Sequence, residues 1–135
     1  MQIELTNKEF RRLLDLIYIG NWVLNSTRGE DRFEDYDRVE SKLFGLCAEN
    51  GMHALVEQWE NTHIPSKAFV EGGIHEAIGV YEDTDFFEIL AEELSRRDMD
   101  YVNIDESNYE ELVTRMRRYM EEFECSGVDH LSLED

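Results

Sequence analysis

Proline, cysteine, long apolar runs and positive charge are all scarce in this chain, and each scarcity excludes something. The single proline, Pro65, leaves no Pro-rich spacer, so a stiff extended linker is ruled out. Two cysteines, Cys47 and Cys125, are too few for the disulfide framework of a small secreted domain. Both are expected to be reduced, with Cys47 serving as a small core residue on a helical stripe. The longest apolar stretch, residues 13–24, is interrupted by Asp15, Gly20 and Asn21. A membrane-crossing helix needs about 20 apolar residues. The opening residues Met1-Gln2-Ile3-Glu4-Leu5 also lack the basic start and apolar core of a signal peptide. The expectation is a cytoplasmic protein with no membrane contact.

Positive charge is the deepest deficit. Lys and Arg total 13 against 32 Asp and Glu, a formal net charge of -19. Residues 1–67 hold 12 acids and 8 bases, whereas residues 68–135 hold 20 acids and 5 bases. A chain this acidic is repelled by nucleic acid and by anionic lipid, so direct binding to either is not expected. The surplus points instead to a basic protein partner, or to a solvating surface of the kind found in salt-adapted proteins. Glu outnumbers Asp 21 to 11.

What is present is enough to fold. A chain of 135 residues is the size of one domain, and 41% apolar residues can supply its core. The reading is a single helical domain over 1–135, mostly α, with about five helices around a buried N-terminal helix. Thr6-Asn7-Lys8-Glu9 forms a capping box that opens a helix over 6–26, apolar nearly all round in its middle turns. Gly20 inside it suggests a closely approaching backbone. A second helix is expected over 33–49, stopped by Gly51, and a third over 52–61, broken by Pro65. Residues 67–80 are read as a short helix, with a hairpin about Gly72-Gly73 as the α+β alternative. A fourth helix over 84–97 is capped by Asp83 or Thr84. A fifth over 108–124 is opened by the box Ser107-Asn108-Tyr109-Glu110. Four i,i+4 pairs of opposite charge are expected on these last two helices besides Glu92–Arg96: Glu93–Arg97, Glu111–Arg115, Arg117–Glu121 and Arg118–Glu122. Residues 128–135 read as a tail, either frayed or docked through Leu131 and Leu133.

Motifs for chemistry are thin. Glu60-Asn61-Thr62-His63 is one Glu-x-x-His where a di-iron bundle needs two. His53, His75 and His130 stand apart, with no paired-His or paired-Cys spacing for zinc. Glu82, Asp83 and Asp85 could gather magnesium but read more simply as charges at a helix start. Glu88, Glu92, Glu93 and Asp98, with Glu121, Glu122 and Glu124 or with Asp37 and Glu40, do not keep the paired acidic motifs of a helical pyrophosphatase. Asp15 is either an exposed edge residue beside Arg11 and Tyr18, or a buried acid seeking Arg115 or Arg118. Trp22 and Trp59 read as core, with a shared aromatic pocket as the alternative.

The function expected on these grounds is a small non-catalytic binding or regulatory module that turns an acidic face to a basic partner. The residues assigned to that face are Glu82, Asp83, Asp85, Asp98, Asp100, Asp105 and Glu106. No cofactor is expected. The alternatives are a metal-dependent hydrolase built on clustered carboxylates and a nucleic-acid mimic that inhibits a DNA-binding protein. The five arginines within the acidic helices count against a mimic. A homodimer through surplus apolar groups on the first helix is the oligomer considered.

Overall fold

The computed structural model describes residues 1–134; the tail reading for Asp135 lies outside them. The protein is mostly α, with one small antiparallel hairpin. Its elements are α1 (Asn7–Asn25), α2 (Glu34–Phe44), β1 (Val56–Trp59), β2 (Thr62–Pro65), a short α3 (Lys67–Phe69), α4 (His75–Asp98) and α5 (Tyr109–Ser126). Two compact units divide the chain, an N-terminal one over Met1–Ile78 and a C-terminal one over Gly79–Asp135.

In the N-terminal unit the capping box forms as the sequence reads. The Glu9 N–H donates to Thr6 Oγ1 at 3.2 Å, and the Thr6 N–H donates to Glu9 Oε2 at 2.8 Å. That reciprocal contact holds the Glu9 carboxyl below the usual carboxylate range, chiefly through the Thr6 backbone N–H. The core joins Phe10 and Leu14 of α1 to Phe44, Cys47, Phe69, Ile74 and Ile78. Phe44 and Phe69 meet edge to face, ring centroids 5.0 Å apart. Burial pushes the Cys47 thiol up in pKa, whereas Cys125 in the C-terminal unit is exposed. Only one stripe of α1 is buried. Leu16 and Val23, expected inside a helix apolar all round, are each 67% exposed, because this unit packs against one face of it. Gly20 likewise has nothing within 4 Å of where a Cβ would stand, so no close backbone explains it.

The expected third helix over 52–61 is replaced by a hairpin. A single 3-10 turn at His53–Leu55 leads into β1, which pairs with β2 from Val56↔Pro65 to Trp59↔Thr62. Its two-residue turn, Glu60-Asn61, carries Glu60 at φ 51, and the Thr62 hydroxyl donates to the Trp59 carbonyl at 2.9 Å. Pro65, lacking an N–H, ends the strand. Residues 67–80 hold no hairpin: the favoured helix is present from His75 on, and a kink at Gly72 and Gly73, both non-helical, separates it from the short α3. Gly73, at φ 109, sits in a π turn over Val70–Ile74 that leads into α4.

In the C-terminal unit α4 does not start at Asp83 or Thr84. The helix runs straight through them, and the Thr84 hydroxyl bonds back to the Val80 carbonyl at 2.9 Å instead of capping. It ends in two left-handed residues, Asp100 at φ 54 and Tyr101 at φ 53, and the Tyr101 N–H reaches back to the Arg96 carbonyl at 2.8 Å. The second capping box does not form either. Ser107 donates instead to Asp105, and α5 begins at Tyr109, with Asn108 in the N-cap position making no side-chain cap bond. Ala91, Ser95, Met99, Leu112 and Phe123 are buried, with the Phe87 and Phe123 rings 5.3 Å apart. In the tail His130 contacts Glu122, while Leu133 is 96% exposed and undocked.

Candidate functional site

Two concave surfaces combine apolar or aromatic side chains with carboxylates, one in each unit, and an open, polar concavity of about 580 Å³ between α2 and β2 adjoins the N-terminal one. In the C-terminal unit the apolar residues of α4 and α5 that do not reach the interior leave a groove of about 470 Å³. Ile89, Val113, Met116 and Met120 line it, and Ile89 is 54% exposed. Asp85, Glu88 and Glu92 follow one another at helical spacing along the α4 side, with Arg117 on the α5 side. Glu92 is matched by Arg96 at 2.6 Å, which leaves Asp85 and Glu88 without an ion pair within 4 Å among the described residues.

The seven acids of the expected binding face separate into three groups. Asp85 lines the groove, and Glu82 and Asp83 stand exposed on the same helix. Asp100 and Glu106 are exposed in the connection between α4 and α5. Asp98 and Asp105 are engaged internally. Asp98 accepts from Arg97 at 2.9 Å and from the Tyr119 hydroxyl, and those contacts hold its carboxyl low, Tyr119 first. Asp105 accepts the Ser107 hydroxyl at 2.6 Å and the Ser107 N–H at 2.8 Å, which lowers it likewise. Of the expected i,i+4 pairs, Glu92–Arg96 and Glu111–Arg115 form. Arg97 turns to Asp98 and Glu122 to His130, so Glu93–Arg97 and Arg118–Glu122 are not made. Arg117–Glu121 is likewise absent among the described residues.

The second surface is a cleft in the N-terminal unit that sequence reasoning missed. On α1, Tyr18, Asn21, Trp22 and Asn25 recur at i,i+3 and i,i+4 and face Asp37 and Glu40, one turn apart on α2. The cavity between them measures about 320 Å³. Its polar side is a ladder: Asn25 Nδ2 donates to Asn21 Oδ1 at 2.7 Å, and Asn21 Nδ2 donates to Asp37 Oδ1 at 3.0 Å. Arg32 grips the same Asp37 through Nε at 3.0 Å and Nη2 at 2.7 Å. Those donors hold the Asp37 carboxyl low, Arg32 foremost. Its aromatic side is Tyr18 and Trp22, with the Tyr18 hydroxyl 2.6 Å from His75 Nε2 and the His75 ring edge-on to Trp22 at 4.6 Å. Glu40 sits between the two sides. Partial burial raises its carboxyl, which the Asn21 amide and the Arg32 charge oppose and the Asp37 charge reinforces.

Other candidates are dispersed. Glu60 lies in the hairpin turn and His63 on β2, so they are not neighbours on a helix, and the His63 ring rests against Gly45. Among the described residues no three His, Cys, Asp or Glu side chains gather as metal ligands. Asp15 pairs with Arg11 at 2.5 Å and Arg12 at 3.5 Å, not with Arg115 or Arg118. Tyr18 does not share that edge; it packs on Phe69 and His75. Trp59 is 64% exposed, which corrects its reading as core. Among the described residues no helix is long and apolar enough to cross a membrane. Comparison with protein-family models, with curated proteins and with solved structures returns no match to this chain.

Proposed function

We propose that this chain is a non-catalytic binding module whose C-terminal unit docks a basic, amphipathic helical segment of a partner protein. The observation that carries the reading is the α4–α5 groove, where a partly exposed apolar floor runs beside unpaired carboxylates. Exposed apolar surface of this kind favours apolar anchors, and methionines such as Met116 and Met120 adapt to varied side chains. Asp85 and Glu88 favour Lys or Arg at the segment's flanks. Glu82, Asp83, Asp100 and Glu106 act at longer range, raising the encounter rate with a cationic partner. Asp98 and Asp105, tied to Tyr119 and Ser107, serve the fold of the unit.

The test is a titration of the full chain with a synthetic Lys- and Arg-rich amphipathic helix, beside a scrambled peptide of equal composition. The reading expects saturable binding that falls steeply between low and physiological salt, and its loss in Glu88→Lys/Ile89→Lys. Equal binding of the scrambled peptide, no binding, or indifference to salt would overturn it. Competition by duplex DNA for the same cationic partner, undiminished in Ile89→Lys, would favour a nucleic-acid mimic instead.

A further inference from the structure

The charges of the N-terminal cleft do not balance. Among the residues lining it, Glu40 meets one cation, Arg32, which is paired with Asp37; Arg38 and Lys42 line a neighbouring concavity instead. Each nitrogen of that guanidinium already donates once: Nε and Nη2 hold Asp37, and Nη1 donates to the Asn25 carbonyl at 3.3 Å. It cannot turn to Glu40 without giving up those contacts. Glu40 is therefore a partly buried carboxylate with no ion pair within 4 Å among the described residues. A carboxylate withdrawn from water calls for a counter-charge or a proton. An anion has no welcome here, because the only lining cation is committed and the surplus charge is negative.

The other wall is aromatic. Tyr18 and Trp22 lie nearly parallel, centroids 6.3 Å apart, and both border the cavity. The negative faces of such rings attract cations, Trp most strongly. This unit already sets cations over rings twice, Arg28 over Phe33 at 4.1 Å and Arg11 over Phe69 at 4.9 Å. The Tyr18 hydroxyl is fixed by His75, so that ring is held in place before any ligand arrives. The cavity volume lies at the small end of ligand pockets, which run from about 300 to 1,000 Å³.

We propose that this cleft binds a small organic ammonium ion, with Glu40 as its counter-charge and Tyr18 and Trp22 as its aromatic wall. The ammonium would supply the charge that Arg32 cannot. The site is separate from the acidic groove of the C-terminal unit and stands or falls without it.

The experiment follows Trp22 fluorescence in the full chain carrying Trp59→Phe, which removes the other indole at an exposed position. Methylammonium and tetramethylammonium chloride are titrated against potassium chloride at constant ionic strength. The side-chain amides of Asn21 and Asn25 are followed in parallel by two-dimensional NMR. A saturable response to either ammonium ion, absent with potassium, is expected. Glu40→Gln should weaken it at least about tenfold, and Trp22→Leu should weaken the NMR-detected binding as well. Both variants are checked for a native melting transition. Loss of binding in Trp22→Leu alone, should Glu40→Gln not fold, still supports the aromatic wall. An equal response to potassium, unchanged affinity in Glu40→Gln, or no saturable change by either method would overturn the proposal.

Discussion

Asn25 holds Phe33 at both ends of one backbone residue: its Oδ1 accepts the Phe33 N–H at 2.8 Å, and its Nδ2 donates to the Phe33 carbonyl at 3.1 Å. The amide is 1% exposed and also donates to Asn21, so one side chain closes the loop between α1 and α2 and anchors the polar ladder of the cleft. Asn25→Ala would leave the partly buried Phe33 N–H and carbonyl without these partners, toward the low end of the about 1–3 kcal/mol that fully buried groups cost. Urea unfolding should show that loss, and the Arg32–Asp37 pair beside the loop should loosen. Asn25→Asp keeps the acceptor but sets a buried carboxylate oxygen against Asn21 Oδ1 and the Phe33 carbonyl, so at neutral pH it should destabilise at least as much as Asn25→Ala.

Gly20 offers the opposite sign. It lies in the middle of α1 with open space where a Cβ would go, so Gly20→Ala should stabilise the protein by about 1 kcal/mol. Gly73, at φ 109, is the internal control: alanine there adopts a conformation closed to L-residues and should destabilise. Thermal melts of the two variants moving in opposite directions would confirm both assignments.

Stability around Glu40 should decline as pH rises. Its carboxyl is raised in the folded protein by burial, so the native state binds more protons than the unfolded chain between the ordinary glutamate value, about 4.3, and the raised one. Unfolding free energy falls with pH across that window and stays lowered above it. Glu40→Gln removes this dependence and should melt higher than the parent at neutral pH, with the difference vanishing in acid below about pH 4. Melting curves across that range give the answer.

Asp98 has the reverse dependence. Its carboxyl is held low, first by the Tyr119 hydroxyl and then by Arg97, so its contribution is present above the ordinary aspartate value, about 3.9, and is lost as pH falls through its lowered folded value. Tyr119→Phe should raise the Asp98 titration midpoint in an NMR titration and lower stability slightly at neutral pH. In strong acid the variant should match the parent.

What the sequence made legible was local. The Thr6–Glu9 box opens α1 because two side chains three residues apart can settle each other's contacts without help. An identical pattern at Ser107–Glu110 fails because Asp105, two residues upstream, takes the serine first. The hairpin at Val56–Pro65 escaped notice because its turn uses Glu60 and Asn61, with Glu60 left-handed where glycine would have announced the bend. Thr84, read as a cap, sits in mid-helix because its hydroxyl has a carbonyl one turn back to bond. The acids assigned to the expected face could be read from the sequence only as charged positions, and which of them were already taken depended on contacts such as that of Tyr119, 21 residues from Asp98 in the chain. The cleft was harder still. Glu40 read only as half of an incomplete acidic motif and Asn21 only as a break in an apolar run, and the meeting of α1 with α2 is what brings them together.

The two thiols differ in a way that makes the molecule its own stopwatch. Cys125 is open to solvent, whereas Cys47 has no exposed surface and lies among Phe44, Phe69 and Leu14. A thiol reagent should therefore modify one site at once and the other only when the N-terminal unit breathes. The slow phase of that labelling times the opening of this unit under native conditions, with no denaturant and no engineered probe.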